Sequence, residues 1–326
     1  MMKHYTASDI AHLCSYPDLI EEMRNIFLAK GDGVQRQHLK IGSDGALLMM
    51  PAVEGERYFG VKLTTVFPAN PEQGKETIQG IFCLFDRSSG TLLATFDASE
   101  LTARRTAAAS ALAASYLSRP DSTRLGILGA GKLPVYFVAA YRAVRPIEHV
   151  NIWARSGEKA VACARRLTGE FNLPVTVTAT VGETILASDI VSSLTSSTSP
   201  FVESSHLKPG LHIDLVGAHT PAMSEATPLC FQSARVFVDS KAGAVAEAGD
   251  LMEAIRVGAL ATCDIEADFR ELVLSPSLGR REGAEITLFK SVGVAAEDLA
   301  AATLIYETGQ SGFDGTVAGA PACSPR

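Results

Sequence analysis

The sequence predicts an α/β protein of two domains, and three observations predict it. From Arg124 onward, short Val, Ile and Leu runs alternate with helical segments, the rhythm of a parallel sheet built from strand–helix–strand units. Upstream of that point, apolar runs succeed one another with only turn residues between them, as in a meander of strands. The chain has 326 residues, 47% of them hydrophobic and 20% charged, which is enough apolar surface for a core in each domain.

The elements follow in order. Residues 17–30, PDLIEEMRNIFLAK, place Leu19, Ile20, Met23, Ile26 and Phe27 at helical spacing, so the chain opens with an amphipathic helix. ALLMMPAV, YFGVKLTTVF, TIQGIFCLFD and GTLLATFD are strands, each short and bounded by Gly, Pro, Asn or Asp. ASELTARRTAAASALAASYLS is a long Ala-rich helix that ends at Arg119-Pro120, because a proline disfavours the helical conformation in the residue before it. RLGILG, HVNIWA, PVTVTA, DIVSSLT, LHIDLVG and RVFVDS are the strands of the second half, and helices such as GEKAVACARRLTGE separate several of them. EITLFKSVG and the helical AAEDLAAATLIYE come last, and GTVAGAPACSPR reads as a disordered tail. The change of rhythm sets the domains at 1–117 with 294–326 and at 118–293.

A net charge of -7 weighs against the phosphates of nucleic acid as the main partner, so any anionic ligand must be met by a few cations set in place for it. No 18-residue apolar stretch occurs, and MMKHYTASDIAHLCSYPD lacks the apolar run and small-residue cleavage site of an export signal, so a cytoplasmic protein without a membrane partner is expected. The six cysteines are scattered, without CxxC or a histidine close enough to complete a zinc ligand set, which suits buried thiols in a reducing compartment and no metal site.

LGILGAGKLP runs from a strand through Gly129-Ala130-Gly131 into a helix, the context of a Rossmann dinucleotide fingerprint. Gly129 suits the tight turn, and Gly131 lets the backbone approach a pyrophosphate at the helix N-terminus. Pro134 replaces the third glycine, and a first helical turn tolerates it because its N–H has no partner there anyway. Taken alone, the motif is weak, with a glycine turn without a ligand as the lesser alternative; the alternation around it favours the nucleotide further. At the end of the next strand stand Ala154, Arg155 and Ser156, where an NAD site carries an acidic residue for the ribose 2′-hydroxyl. A cation and a hydroxyl suit a 2′-phosphate, so NADPH is expected, with NADH as the alternative; a solvated strand-end arginine is the plain reading of Arg155.

FGVKLTTVFP, LTARRTAAASALAA, LGILGAGK, SDIVSSLTSSTSP, HIDLVGAHTP and TLFKSVGVAAEDLA, in this order from about residue 30 to 300, together resemble the ornithine cyclodeaminase/μ-crystallin family. The resemblance implies a homodimer whose subunit joins a Rossmann NAD(P)-binding domain to an α+β substrate-binding and dimerisation domain. It also implies a small imino or amino acid as substrate, since the family includes an ornithine-cyclising deaminase, alanine dehydrogenases and reductases of ketimines and cyclic imines. The family's grip on the substrate carboxylate falls on Lys62, on Arg105 and on Arg36 of GVQRQHL, with His38 the alternative to Arg36. Charge and geometry agree, because a guanidinium pairs with a carboxylate in bidentate fashion. Arg104 sits about 100° round the helix from Arg105, so only one of the two faces the site. On the cofactor side the pattern falls on Gly129, Gly131, Lys132, Leu133, Thr195 and Val216. It also reaches Ser291 and Val292 of KSVG, where backbone would approach nicotinamide and substrate.

In the deaminase branch of the family an aspartate stands where this chain has His219, and that carboxylate serves as a base. GAHTPAMSEA is instead similar to the loop of bacterial reductases that convert Δ1-pyrroline-2-carboxylate to L-proline, and often Δ1-piperideine-2-carboxylate to L-pipecolate. An NAD(P)H-dependent reductase of cyclic imino acids is therefore expected. The alternatives are ornithine cyclodeaminase, alanine dehydrogenase or another ketimine reductase, and a binding protein without catalysis. In the expected reaction Arg36, Lys62 and Arg105 clamp the carboxylate, and Lys62 or an ordered water protonates the imine nitrogen. His219 has three readings: a proton donor, a contact of shape and hydrogen bonding, or a loop histidine facing water.

Overall fold

The computed structural model describes residues 2–29 and 34–314. β1 (Lys3–Tyr5), α1 (Ala7–Leu13) and α2 (Tyr16–Leu28) lead into a meander of β2 (Gln37–Ile41), β3 (Gly45–Ala52), β4 (Tyr58–Val66), β5 (Ile78–Asp86) and β6 (Leu92–Asp97). These strands form one sheet in the order β1-β6-β5-β4-β3-β2, antiparallel except where β1 runs parallel to β6. On β4 Gly60 and Lys62 are buried, and Lys62 lies opposite Met50 and Phe82.

The long helix α3 (Ala98–Leu117) starts from the side-chain cap of Asp97 and ends at Ser118, as the Arg119-Pro120 pair predicts. Its alanines from Ala107 to Ala114 are buried, and such short side chains let backbone elements approach closely. The helix touches β4, β5 and β6 on one side and strands 212–215 and 287–290 of a second sheet on the other, so it lies between the two sheets.

The second sheet is wholly parallel. It is built from β7 (Arg124–Leu128), β8 (His149–Trp153), β9 (Val175–Val177), β10 (Ile190–Ser193), β11 (His212–Leu215), β12 (Arg235–Val238), β13 (Ile265–Ala267) and β14 (Thr287–Lys290). Between them run α4 (Pro134–Arg142), α5 (Gly157–Phe171), α6 (Val181–Leu186), α7 (Pro228–Gln232), α8 (Lys241–Glu247), α9 (Gly249–Arg256) and α10 (Phe269–Leu274). The strand order is β13-β12-β14-β11-β10-β7-β8-β9. The chain leaves β7 towards β8 and β9, then returns to β7's other side with β10, and a switch of this kind opens a crevice at the carboxyl ends of β7 and β10. The last helix, α11 (Ala295–Asp314), leaves this sheet and packs back on α2, α3, β3, β4 and β5.

The apolar runs of the sequence are strands here, and the helices at 17–30 and 98–118 stand within two residues of their expected ends. Other elements carry no such run. β2 is QHLKI, exposed along its whole length at the sheet edge, and β1 and β13 have three residues each. The tail GTVAGAPACSPR lies outside the described residues.

Candidate active site

Three cations converge at the end of β14. Lys62 reaches inward from the middle of β4 and is 3% exposed; its Nζ donates to Asp298 Oδ2 at 2.7 Å and Oδ1 at 2.9 Å, and to Thr102 Oγ1 at 3.4 Å. Arg105, on α3 and 6% exposed, donates through Nε to Asp298 Oδ1 at 3.1 Å and through Nη1 to Glu297 Oε2 at 2.6 Å. Its guanidinium lies so close to Gly293 that a Cβ there would sit 2.6 Å from Nη1. Arg36, just before β2, donates through Nη2 to the carbonyls of Val292 at 2.8 Å and Gly293 at 2.5 Å, and pairs through Nε with Glu247 at 2.9 Å. His38 stands on β2 with an exposed side chain, while Arg104 turns away to Glu100 and the Cys14 carbonyl. A cleft lined by Arg36, Met50, Gly243, Glu247 and Val292 opens beside the cluster.

The anionic half of this cluster is what sequence reasoning missed. Asp298 and Glu297 lie together in the first turn of α11, both fully buried, and Asp239 follows β12. Asp239 Oδ2 accepts from the N–H groups of Val292 at 2.7 Å and Gly293 at 2.6 Å, while its Oδ1 accepts from that of Ser240 at 2.8 Å. That network fixes the Val292-Gly293 turn on which Arg36 rests. A signal was present, since two adjacent acids inside the apolar VAAEDLAAATL are costly to bury without partners. Removing one member of a buried ion pair costs about 3–5 kcal/mol, so these acids and cations stand or fall together.

The electrostatics are correspondingly tight. Burial draws Lys62 down to about 8, with Asp298 opposing the fall and Arg105 and Arg36 adding to it. Burial also works against the charge on Arg105, but Asp298 and Glu297 outweigh it and hold the guanidinium above its ordinary value. Glu297 is pushed up to about 7 by burial, which Arg105 resists and the nearby carboxylates of Asp239 and Asp298 reinforce.

On the nucleotide side, Gly129 has φ +122°, a region open to glycine, and a Cβ there would lie 2.8 Å from the Leu194 carbonyl. A Cβ at Gly131 would meet only open space. Helix α4 begins just beyond, with Leu133 at the cap and Pro134 in its first turn, and no side chain caps its N–H groups. An open cradle in front of an uncapped helix N-terminus fits a dinucleotide pyrophosphate. Lys132 donates to Ser99 Oγ at 3.0 Å, and Arg166 to the Gly131 carbonyl at 3.1 Å. Arg155 is exposed and makes no ion pair among the described residues, while Ser156 caps α5 by accepting from the Lys159 N–H at 3.3 Å.

A single buried carboxylate braces the loops after β10 and β11. Glu225 Oε1 accepts from Ser193 Oγ at 2.7 Å and from Thr195 N and Oγ1 at 2.8 and 2.7 Å; its Oε2 accepts from Gly217 N at 2.7 Å. Thr195 and the Val216-Gly217 corner are thereby held as one unit, with the Val216 N–H on the Ser193 carbonyl. The Ser291 N–H reaches the Leu215 carbonyl at 3.2 Å, which joins KSVG to the same corner.

His219 lies on this loop, with Nδ1 2.9 Å from the Gly217 carbonyl. A carbonyl only accepts, so Nδ1 carries the proton and Nε2 keeps its lone pair. The residue is exposed. Partial loss of solvation draws its pKa down to about 4, Lys290, Arg36 and Arg105 add to the fall, and the Gly217 carbonyl opposes it. The imidazole is neutral at pH 7.

A parallel sheet with an open glycine cradle at its switch point, and a cluster of anchored cations beside it, define a Rossmann-type dinucleotide-binding protein. The chain belongs to the ornithine cyclodeaminase/mu-crystallin family, whose profile matches residues 7–312. A Δ(1)-pyrroline-2-carboxylate reductase of Bacillus cereus is 37% identical over 263 residues, 80% of this chain and 81% of that protein. The structure of the Thermococcus litoralis Δ(1)-pyrroline-2-carboxylate reductase in complex with NADH and L-proline superposes with a TM-score of 0.90 at 30% identity, over 96% of this chain and 98% of that one. An archaeal alanine dehydrogenase dimer with bound NAD gives a TM-score of 0.87 at 26% identity, covering 96% and 97% of the two chains. The fold is thus that of NAD(P)-dependent reductases of this family.

Proposed function

We propose that the protein is an NADPH-dependent reductase of cyclic imino acids, converting Δ1-pyrroline-2-carboxylate to L-proline and accepting the six-membered Δ1-piperideine-2-carboxylate as well. The observation that carries this reading is the convergence of three cations beside the cleft, Arg36 on the Val292-Gly293 turn and Lys62 and Arg105 on Asp298 just beyond it, with a neutral histidine rather than a carboxylate at position 219. A substrate with one carboxylate and a C=N bond needs an anion clamp and a proton; it needs no base. The relatives named for this reaction, and the related structure holding NADH and L-proline, favour the same substrate class. The archaeal dimer supports a homodimer, and a cytoplasmic setting belongs to the same reading.

In this mechanism Gly129, Gly131, Lys132 and Leu133 hold the pyrophosphate, while Thr195, Val216 and Ser291 border the nicotinamide. Arg155 and Ser156 take the 2′-phosphate, where the unpaired guanidinium and the free hydroxyl hydrogen suit three acceptor oxygens. A bound reduced nicotinamide supplies the hydride. Arg36 and Arg105 grip the substrate carboxylate and Val292 backs the ring, so the C=N carbon is held in one orientation. Lys62 gives its proton to the imine nitrogen, which makes the carbon electrophilic. His219 Nε2 accepts a hydrogen bond from the N–H so formed.

The test is NADPH oxidation by purified protein with pyrroline-2-carboxylate, piperideine-2-carboxylate, or pyruvate plus ammonia, repeated with NADH and set beside ammonia release from L-ornithine with NAD. Turnover of the cyclic imines, faster with NADPH, is expected. Ornithine deamination without imine reduction overturns the reading.

A further inference from the structure

We propose that Asp298 is a positioning residue of the reduction site: it holds the Lys62 ammonium and the Arg105 guanidinium side by side and keeps Lys62 charged for its role as proton donor. The inference rests on the imine-reductase reading and deepens it by naming what prepares the donor. Geometry carries it. Asp298 is wholly buried in the first turn of α11, and both its oxygens are spent on the two cations, Oδ2 on Lys62 and Oδ1 on Lys62 and Arg105. Glu297, its neighbour, is bonded to Arg105 alone and leaves Oε1 without a partner.

The groups facing Lys62 can be taken element by element. α3 contributes Arg105 and the Thr102 hydroxyl, and the segment before β2 contributes the charge of Arg36. β3 carries no titratable group; β5 carries Cys83, opposite Val61, and Asp86, held in its turn by Ser88 and Ser89. Among the described residues, Asp298 is therefore the one carboxylate bonded to Lys62. Without its charge the ammonium would face two guanidinium groups in a dry site, and both desolvation and like charge favour loss of its proton. In the reaction an Nζ–H bond of Lys62 breaks as the N–H bond of the substrate forms, while hydride from the reduced dinucleotide makes the new C–H bond. Lys62 is left neutral and regains a proton from water in the cleft. Asp298 gives up no electrons or protons in this step.

The experiment is Asp298→Asn, which keeps the shape and removes the charge, assayed on pyrroline-2-carboxylate and NADPH between about pH 6 and about pH 10. Relative to the parent, kcat should fall about tenfold and the alkaline limb of its pH profile should move down by about one unit. NADPH affinity, read from the fluorescence of Trp153, should stay within about twofold; this is the chain's single tryptophan, and its carbonyl accepts from the Gly129 N–H. An alkaline limb that does not move overturns the proposal, and so does loss of NADPH binding in step with kcat. If Asp298→Asn folds but is too unstable for the assay, or if the parent reduces no imine and the functional reading itself fails, a cycle with Lys62→Met read by thermal unfolding decides the pairing. The double variant should recover most of the stability that Asp298→Asn loses, and simple additivity of the two losses overturns it.

Discussion

Which side chain carries a proton at neutral pH separates Lys62 from His219. Lys62, brought down to about 8, is still an ammonium at pH 7 and is poised to release it; His219, brought down to about 4, has nothing to give. The histidine's remaining asset is the Nε2 lone pair left by its bond to Gly217. His219→Phe keeps a flat ring and removes that acceptor, so turnover of pyrroline-2-carboxylate should fall only about three- to tenfold, with the shape of the pH profile unchanged. A loss of about a thousandfold, or a limb that vanishes near neutrality, would restore the proton-donor reading. Residue by residue, the sequence exposed Lys62 because a charge in the middle of FGVKLTTVF has to be met inside the fold. Asp298 was missed: the cost of burying it was there to be read, but nothing in the spacing joins two positions 236 residues apart.

In the proposed function it is the turn between β8 and α5 that sets the preference between dinucleotides. Its backbone is set by the Ser156 cap, and its only free cation among the described residues is Arg155, displayed beyond the end of a strand whose neighbour carries the glycine cradle. Because the cap fixes the helix start, Arg155→Asp should leave folding intact. It should raise the KM for NADPH about tenfold or more through repulsion of the 2′-phosphate, and lower that for NADH. Steady-state kinetics with both cofactors checks this, and an unchanged NADPH/NADH ratio refutes a role for Arg155. Strands of this half other than the three-residue β13 were legible because each is an apolar run between breakers. By contrast β2 was not: QHLKI is an exposed edge strand paired on one side only, so it buries little and needs no apolar face. Glu225 escaped notice for another reason, since a glutamate in a loop says nothing of the four donors that converge on it only when β10 and β11 lie side by side.

Across the whole molecule the site is a seam. Lys62 comes from the first sheet, Arg105 from the helix between the sheets, Val292 and Gly293 from the end of the second sheet, and Asp298 from the helix that crosses back. On the proposed function such a site would couple the direction of the reaction to acidity, because the same lysine would have to be charged in one direction and neutral in the other. In that proposal, reduction of the imine consumes a proton drawn from the Lys62 ammonium, and oxidation of L-proline returns a proton and needs Lys62 as the free amine. With Lys62 near 8, kcat for reduction should be level below about pH 7.5 and fall about tenfold per unit above about pH 8.5. Proline oxidation with NADP should show the mirror image, rising through the same interval. Equilibrium adds to the kinetics, since each pH unit favours oxidation tenfold more when one proton is released. Initial rates in both directions over one buffer series test this, and limbs that fail to cross near pH 8 would mean that a group other than Lys62 handles the proton.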